Sequence, residues 1–425
     1  MRSARVWRAL LGVEQAVVER VELLDNGELI AHVRAPRAAR RRCGLCGRRC
    51  ARYDLGGGRR RWRALDLGTV RTFVEADAPR VSCPEHGVVV AQVPWARHGA
   101  GHTVAFDQAV AWLAVHTSKS AVTQLMRIAW RSVGSIVARV WADTGGVVDR
   151  LAGVTRIGID EISYKKGHKY LTVVVDHDTG RLLWAHPGRD DTTLHLFFDL
   201  LGPQRCAQLR LVSADSADWI ARVVKQRCPQ AIRCADPFHV VMWALEAQEA
   251  VRREAWNNAA GRVRGRRGGK GGHSDSAKLK RCRHAVRKNP ENLTPAQIDQ
   301  LAWIAKTDPR LYRAYRLKEA LRYAFTIKGE AGKQAIDRWL SWARRCRIPA
   351  FVKLYHRIRH HRDAIDAALQ HGLSNALIES TNAKIRLIIR MAYGFRDTNA
   401  LIAMALLSLG GHRPTLPDRP IPTHG

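Results

Sequence analysis

The sequence predicts an α/β protein built on a mixed sheet with helices on both faces. A small cysteine-bearing module and a helical segment precede that sheet, and a long helical stretch interrupts it. Three observations predict this class. Strand-like runs at 156–160, 170–176 and 181–186 follow one another directly. Helix and strand then alternate at 193–201, 209–215, 217–226 and 232–236, an order that puts helices against a mixed sheet. From 240 to 369 apolar residues recur at helical rather than strand spacing.

The chain has 425 residues, enough for several domains, and 46% hydrophobic content, which excludes a disordered polymer. Its 71 Lys and Arg against 38 acids leave a formal net charge of +33, spread along most of the chain. Such a field implies a polyanionic partner, nucleic acid first and an anionic membrane surface second. No uninterrupted apolar stretch reaches about 18 residues, which argues against a spanning helix. The basic start Met1-Arg2-Ser3-Ala4-Arg5 is not followed by a long apolar segment, so no secretion signal is expected. Nine unevenly spaced cysteines do not form a disulfide framework, and a reducing cytoplasm is the expected compartment.

Residues 1–95 read as a module of short strands and turns, with strand candidates at 29–33 and 72–76 and cationic runs at 37–42 and 59–61. Cys43-Gly44-Leu45-Cys46 and Cys83-Pro84-Glu85-His86 are two knuckle-like pairs. Thiolate and imidazole close a tetrahedral zinc site, so Cys43, Cys46, Cys83 and His86 are the expected structural zinc ligands, with Cys50 as a spare. Residues 96–150 read as a helix-turn-helix region. One helix carries Ala121, Val122 and Leu125, a turn falls near Ile128, and a second helix turns Val133, Ile136, Val137 and Val140 inward. Its other face presents Arg131, Ser132, Ser135 and Arg139, suited to phosphates and base edges in a major groove. An ordinary helical hairpin would share the pattern, and the positive charge favours the DNA-binding reading.

Residues 151–240 carry the sheet, 241–370 the helical insertion, 371–411 a returning helical pair, and 412–425 a loose proline-rich tail. Glycines at 261–272 predict a mobile basic loop within the insertion. Asp160 is read as ending the first strand, Asp215 as ending the strand after Leu211, and Glu379 as lying in a later helix. Carboxylates just past buried strands project from the sheet's end, where they hold a divalent cation; three of them suggest a metal site for phosphoryl transfer. Capping of a turn or helix is the plain alternative for each aspartate. Glu161 ranks behind Asp160, because alternation puts it on the opposite face. Asp236 and His239 contact a phosphate or orient a metal-bound water, or else Asp236 is an N-cap.

Together these motifs resemble the DDE transposases of bacterial insertion sequences, most closely the ISL-three family. The matching residues are Ile157-Gly158-Ile159-Asp160-Glu161, the run 169–176, Ser213-Ala214-Asp215-Ser216, Asp236-Pro237-Phe238-His239, and 375–386 around Glu379. The resemblance implies a ribonuclease-H-like catalytic domain, interrupted by a helical insertion before the glutamate. It implies that Asp160, Asp215 and Glu379 form the metal triad, with Asp236 and His239 in support. The expected chemistry uses two Mg²⁺ (or Mn²⁺) ions roughly 3.5–4 Å apart. The expected partners are double-stranded DNA, both terminal inverted repeats and target, and a second copy of the chain in the end complex. The expected location is the bacterial cytoplasm, on the nucleoid. Two alternatives remain: a non-catalytic DNA-binding regulator derived from a transposase, and a ribonuclease-H-like nuclease without strand transfer.

Overall fold

A computed structural model of the protein describes residues 2–13, 15–147, 149–265, 277–373 and 376–417. The chain forms two units, Met1–Arg150 with Ile385–Gly425, and Leu151–Lys384.

The first unit holds more regular structure than its turn-rich sequence suggests. It opens with a helix at Arg2–Leu11 that the periodicity reading did not anticipate. Seven strands follow: β1 Val17–Leu23, β2 Leu29–Arg34, β3 Ala51–Asp54, β4 Arg59–Arg63, β5 Thr72–Asp77, β6 Arg80–Cys83 and β7 Gly87–Val90. They form a four-stranded sheet in the order β1-β2-β5-β4 and a three-stranded sheet in the order β3-β6-β7. The β1–β2 hairpin turns at Gly27, whose φ of +77° is a left-handed conformation that glycine adopts without strain. The cationic run at 59–61 lies in strand β4. Its Trp62 is buried edge-on against Trp95, with ring centroids 5.6 Å apart. Arg59 and Arg61 place their Nε atoms 2.9 and 2.6 Å from the carboxylate of Glu75 across the strand pair.

Helices Val104–His116, Lys119–Met126 and Trp130–Val147 come next. Thr103 and Ser118 cap the first two, each hydroxyl accepting a backbone N–H three residues on. Arg127, at φ +52°, ends the second in the left-handed region. Val122, Met126, Val133, Ile136, Val137 and Val140 form the core, joined by Ala403, Met404 and Leu407 of helix Thr398–Leu409. Leu125 is 63% exposed, because Val122 and Met126 take the core-facing positions one turn apart. The apolar residues of helix Thr398–Leu409, in the second half of the returning helical pair, pack on the helix-turn-helix core. The tail does not loosen at His412 either, since Leu416 packs on that same core. Residues 418–425 lie outside the described ones.

The second unit is organised on β8 Arg156–Lys165, β9 Lys169–Asp176, β10 Leu182–Pro187, β11 Leu211–Ala214 and β12 Ile232–Ala235, in the order β10-β9-β8-β11-β12. The first three are antiparallel to one another, while β11 runs parallel to β8 and β12 parallel to β11. Strand β8 is twice its expected length and passes through Asp160 to Lys165, because β9 pairs with it along that whole stretch. Helices Asp191–Leu201 and Asp218–Arg227 cover one face over Ile157, Ile159, Leu194, Phe197, Phe198 and Val223.

After β12 the helix Pro237–Gly265 begins the insertion. It continues through 261–265, where the loop was expected to start, and 266–276 fall outside the described residues. Further helices at Pro295–Thr307, Pro309–Ala324, Gly329–Arg345, Pro349–His360 and Arg362–His371 pack around Leu311, Leu317, Ile336, Trp339, Phe351 and Ile358. The last two of these helices are divided at His361. The second of them returns to the sheet edge, where Ala368 and Leu373 meet Leu211 and Cys234.

Candidate active site

Register builds the site. Ile159 on β8 lies opposite Ala214 on β11, so Asp160 and Asp215, one residue further along parallel neighbours, emerge side by side where β11 ends. Asp160 is therefore mid-strand rather than strand-terminal. It is free to point into a site because its parallel neighbour stops. Asp160 Oδ1 accepts the Glu161 amide at 2.8 Å, and Asp215 Oδ1 accepts the Ser216 amide at 2.5 Å.

Glu379 arrives on helix Ala376–Met391. Gly158 makes that approach possible: a Cβ there would stand 2.2 Å from Ile378 Cδ1 and 2.9 Å from His177 Nε2. Ile378 thus seats on the same sheet face as Asp160. Asn382, one turn beyond Glu379, is buried and donates from Nδ2 to Asp160 Oδ2 at 2.7 Å. The helix is tethered to β8 through Asn382, and Glu379 shares Asn382's side of the helix. Leu387 on this helix is half exposed, whereas Ile378 and Ile385 are fully buried. Ser374 and Asn375 lie outside the described residues.

Asp236 follows β12 and caps the next helix, as its N-cap reading expects, while also holding His239. Its Oδ1 accepts the Phe238 amide at 3.1 Å, a cap of the helix start, and its Oδ2 holds His239 Nδ1 at 2.6 Å. That hydrogen bond, with the charges of Asp215, Asp236 and Asp160, raises His239 to about 9 despite burial. Burial raises the Asp160 carboxyl, opposed by the Glu161 amide and reinforced by Asp236. Burial also raises Glu379, with Asp236 and Asp160 adding to it. Glu161, on the other side of β8, is raised by burial and by Asp160 and Asp215, while Arg189 Nε at 3.3 Å opposes. Five acids thus crowd one end of the sheet, and burial or mutual repulsion disfavours the charge on three of them.

Such a set of hard oxygen donors suits Mg²⁺ or Mn²⁺. Among the described residues the oxygens of Asp160, Asp215 and Glu379 do not all lie within 4.8 Å of one another. Two buried polar atoms beside them, Asn382 Oδ1 and Ser216 Oγ, have no hydrogen-bond partner there, as expected of groups facing a hydrated ion or a substrate. Gly158, Ser216 and Asn382 all fall within the matching motifs, but the sequence assigns none of them a role; Asn382 stands out there as a polar residue one turn from Glu379 in an apolar helix.

In the first unit the two knuckles meet. Ligand atoms of Cys43, Cys46, Cys83 and His86 all lie within 4.8 Å of one another. Cys46 Sγ is 3.8 Å from Cys83 Sγ, and His86 Nδ1 lies 3.8 Å from Cys43 Sγ and 3.6 Å from Cys83 Sγ. Metal–sulfur bonds of about 2.3 Å around a tetrahedron give edges close to these. The His86 side chain draws the Cys83 thiol down to about 6. Cys50 turns its thiol to the Arg48 carbonyl at 3.3 Å and stands outside the four. On the helix-turn-helix, Arg131 and Ser135 are exposed and Ser132 half-buried. Arg139, expected on DNA, instead sits 3.3 Å from fully buried Asp107, which Arg97 also approaches at 3.1 Å. A carboxylate with no water around it requires those cations, so Arg139 is committed to the fold.

A five-stranded mixed sheet with two carboxylates side by side on adjacent parallel strands, where one of the two strands ends, defines the ribonuclease-H-like class. Model comparisons agree with that class. A transposase family model matches residues 157–405, a helix-turn-helix domain of transposase family ISL3 matches 91–141, and a zinc-finger of the IS204/IS1001/IS1096/IS1165 transposases matches 39–86. The chain is 62% identical to the transposase for insertion sequence element IS1557 from two strains of Mycobacterium tuberculosis, over 99% of this chain and 98% of each relative. It is 27% identical to the transposase for insertion sequence element IS1001 of Bordetella parapertussis, over 93% and 96%. The chain belongs to the ISL3 (ISL-three) family of insertion-sequence transposases. Its helix-turn-helix and transposase domains indicate DNA binding. Among the described residues no helix is long and apolar enough to cross a membrane.

Proposed function

We propose that this transposase cleaves DNA at the ends of its element and joins the freed strand to target DNA, with Asp160, Asp215 and Glu379 holding two divalent ions, Mg²⁺ or Mn²⁺. The observation that carries this reading is the Asn382–Asp160 hydrogen bond, which ties the Glu379 helix to the strand pair bearing the two aspartates. Bound there, the ions would activate the attacking hydroxyl and neutralise charge on the leaving oxygen. The side chains supply the rest. Asp160 and Asp215 are oriented by the amides of Glu161 and Ser216. His239 is tied through Nδ1 to Asp236, which would leave Nε2 for a DNA phosphate oxygen. Cys43, Cys46, Cys83 and His86 hold a structural zinc ion that makes the small β3-β6-β7 sheet a rigid platform. Arg131, Ser132 and Ser135 contact the terminal inverted repeats. Pairing two ends calls for at least a dimer, in the cytoplasm and on the nucleoid.

The test is a reaction of purified protein with DNA carrying the cognate ends and a separate target plasmid. Mg²⁺-dependent nicking together with joined target strands supports the proposal. Nicking without joining would support the nuclease alternative. End binding with no cleavage in Mg²⁺ or Mn²⁺ would leave the regulator reading.

A further inference from the structure

We infer that Asp218, His360 and His361 form a second metal-binding site, one that takes a borderline transition-metal ion such as Zn²⁺, Co²⁺ or Ni²⁺. Asp218 is the first residue of the helix that follows Asp215, and His360 is the last residue of helix Pro349–His360 in the insertion. One ligand atom from each of the three lies within 4.8 Å of the other two. His360 Nε2 is 3.7 Å from Asp218 Oδ1, and the two imidazole rings stand 4.7 Å apart. Bonds of about 2.0–2.1 Å to a single ion need edges only slightly shorter. The side chains of Asp218 and His360 are 80% and 69% exposed, so small rotations close the set.

An ion pair does not account for the arrangement. An exposed His–Asp contact contributes little and gives no reason for a second imidazole to converge. His361 is held by packing, its ring 5.6 Å from that of Trp243, which carries the Arg357 guanidinium at 3.7 Å on its face. Burial, then the charges of Arg233 and His360, lower the His361 pKa, while Asp218 opposes them and Arg357 adds to them. The same arginines repel a dication, and three protein ligands leave coordination positions open; both make the ion exchangeable. Two imidazoles select against Mg²⁺, which prefers oxygen and gives up water reluctantly. An ion here would staple the helix beginning three residues after Asp215 to the insertion, and so bear on one wall of the carboxylate cluster. The inference does not depend on what that cluster does.

The experiment uses the full-length protein with its cysteine site zinc-loaded and excess Mg²⁺ present to fill oxygen-donor sites. Titration with Co²⁺ is expected to show one further equivalent, with weak visible bands and no thiolate charge-transfer absorption. His360→Ala with His361→Ala should abolish that equivalent, and Asp218→Asn should weaken it at least tenfold. Hydrogen exchange in 218–227 and 349–361 should slow on Co²⁺ addition in the wild type alone. No further equivalent in the wild type, or an unchanged titration in the variants, overturns the site. Should the double variant lose its cooperative melt, Asp218→Asn decides the matter, because that side chain is exposed and supports no core.

Discussion

Asp160, Asp215 and Glu379 occupy three different settings: mid-strand, just past a strand, and the first turn of a helix. Strand register places the two aspartates side by side, and the Asn382–Asp160 hydrogen bond ties the Glu379 helix to them. Asp160→Asn and Glu379→Gln keep size and remove charge; each is expected to lower Mg²⁺-dependent cleavage by at least 10³-fold, as loss of a metal ligand does, while gel-shift affinity for the ends changes less than threefold. Cleavage near the wild-type rate in either variant would remove the assignment. At this scale the acids were legible because each follows an apolar run and precedes polar residues. Arg139 was misread for a reason a one-dimensional pattern cannot show: its partner Asp107 lies 32 positions away and is fully buried.

Helices and strands obey closer constraints. Gly158 lies where Ile378 presses onto the sheet. Gly158→Ala is expected to cost about 1–3 kcal/mol by overpacking, read as a lower melting temperature, and to reduce cleavage by moving the Glu379 helix. Adding Ile378→Ala should restore part of the activity; no restoration would mean that the contact with His177 dominates. In the insertion, Glu249 is held down to about 2, first by hydrogen bonding with Arg252, with burial opposing and Arg253 assisting. A folded pKa below the unfolded one means that the stabilisation is complete above the unfolded glutamate value and fades as pH falls through the folded one. Glu249→Gln should therefore destabilise the protein at pH 7 by roughly 1–3 kcal/mol. Chemical denaturation at stepped pH should show the gap narrowing from about 4.5 downward; a gap constant with pH would point to packing rather than charge. Elements with strong periodicity, such as those at 133–140 and 311–321, could be read directly. The short strands β3, β6 and β7 could not, because their pairing partners and the cysteine cluster, not local propensity, hold them extended.

Across the whole chain the dominant quantity is the formal charge of +33. Ion pairs absorb part of it, as at Arg59, Arg61, Arg97 and Arg139. The remainder should give binding to end-bearing DNA a steep salt dependence, with a log–log slope of about −5 or steeper from the neutralisation of six or more phosphates. A slope near −1 to −2, measured by anisotropy between low and moderate salt, would exclude an extended electrostatic footprint.

Read alone, the amino-acid order determined the class of fold, the order of its modules, and the knuckle cysteines and histidine. Those signals are local: residue spacing suffices. Tertiary structure alone decided that Asp160 sits within a long strand, that Asn382 bridges to it across 222 positions, that Arg139 belongs to the fold, and that His360 and His361 converge on Asp218. Each of these is a contact between distant segments, and no local pattern encodes which buried charge or orphaned amide a side chain will meet once the chain has closed.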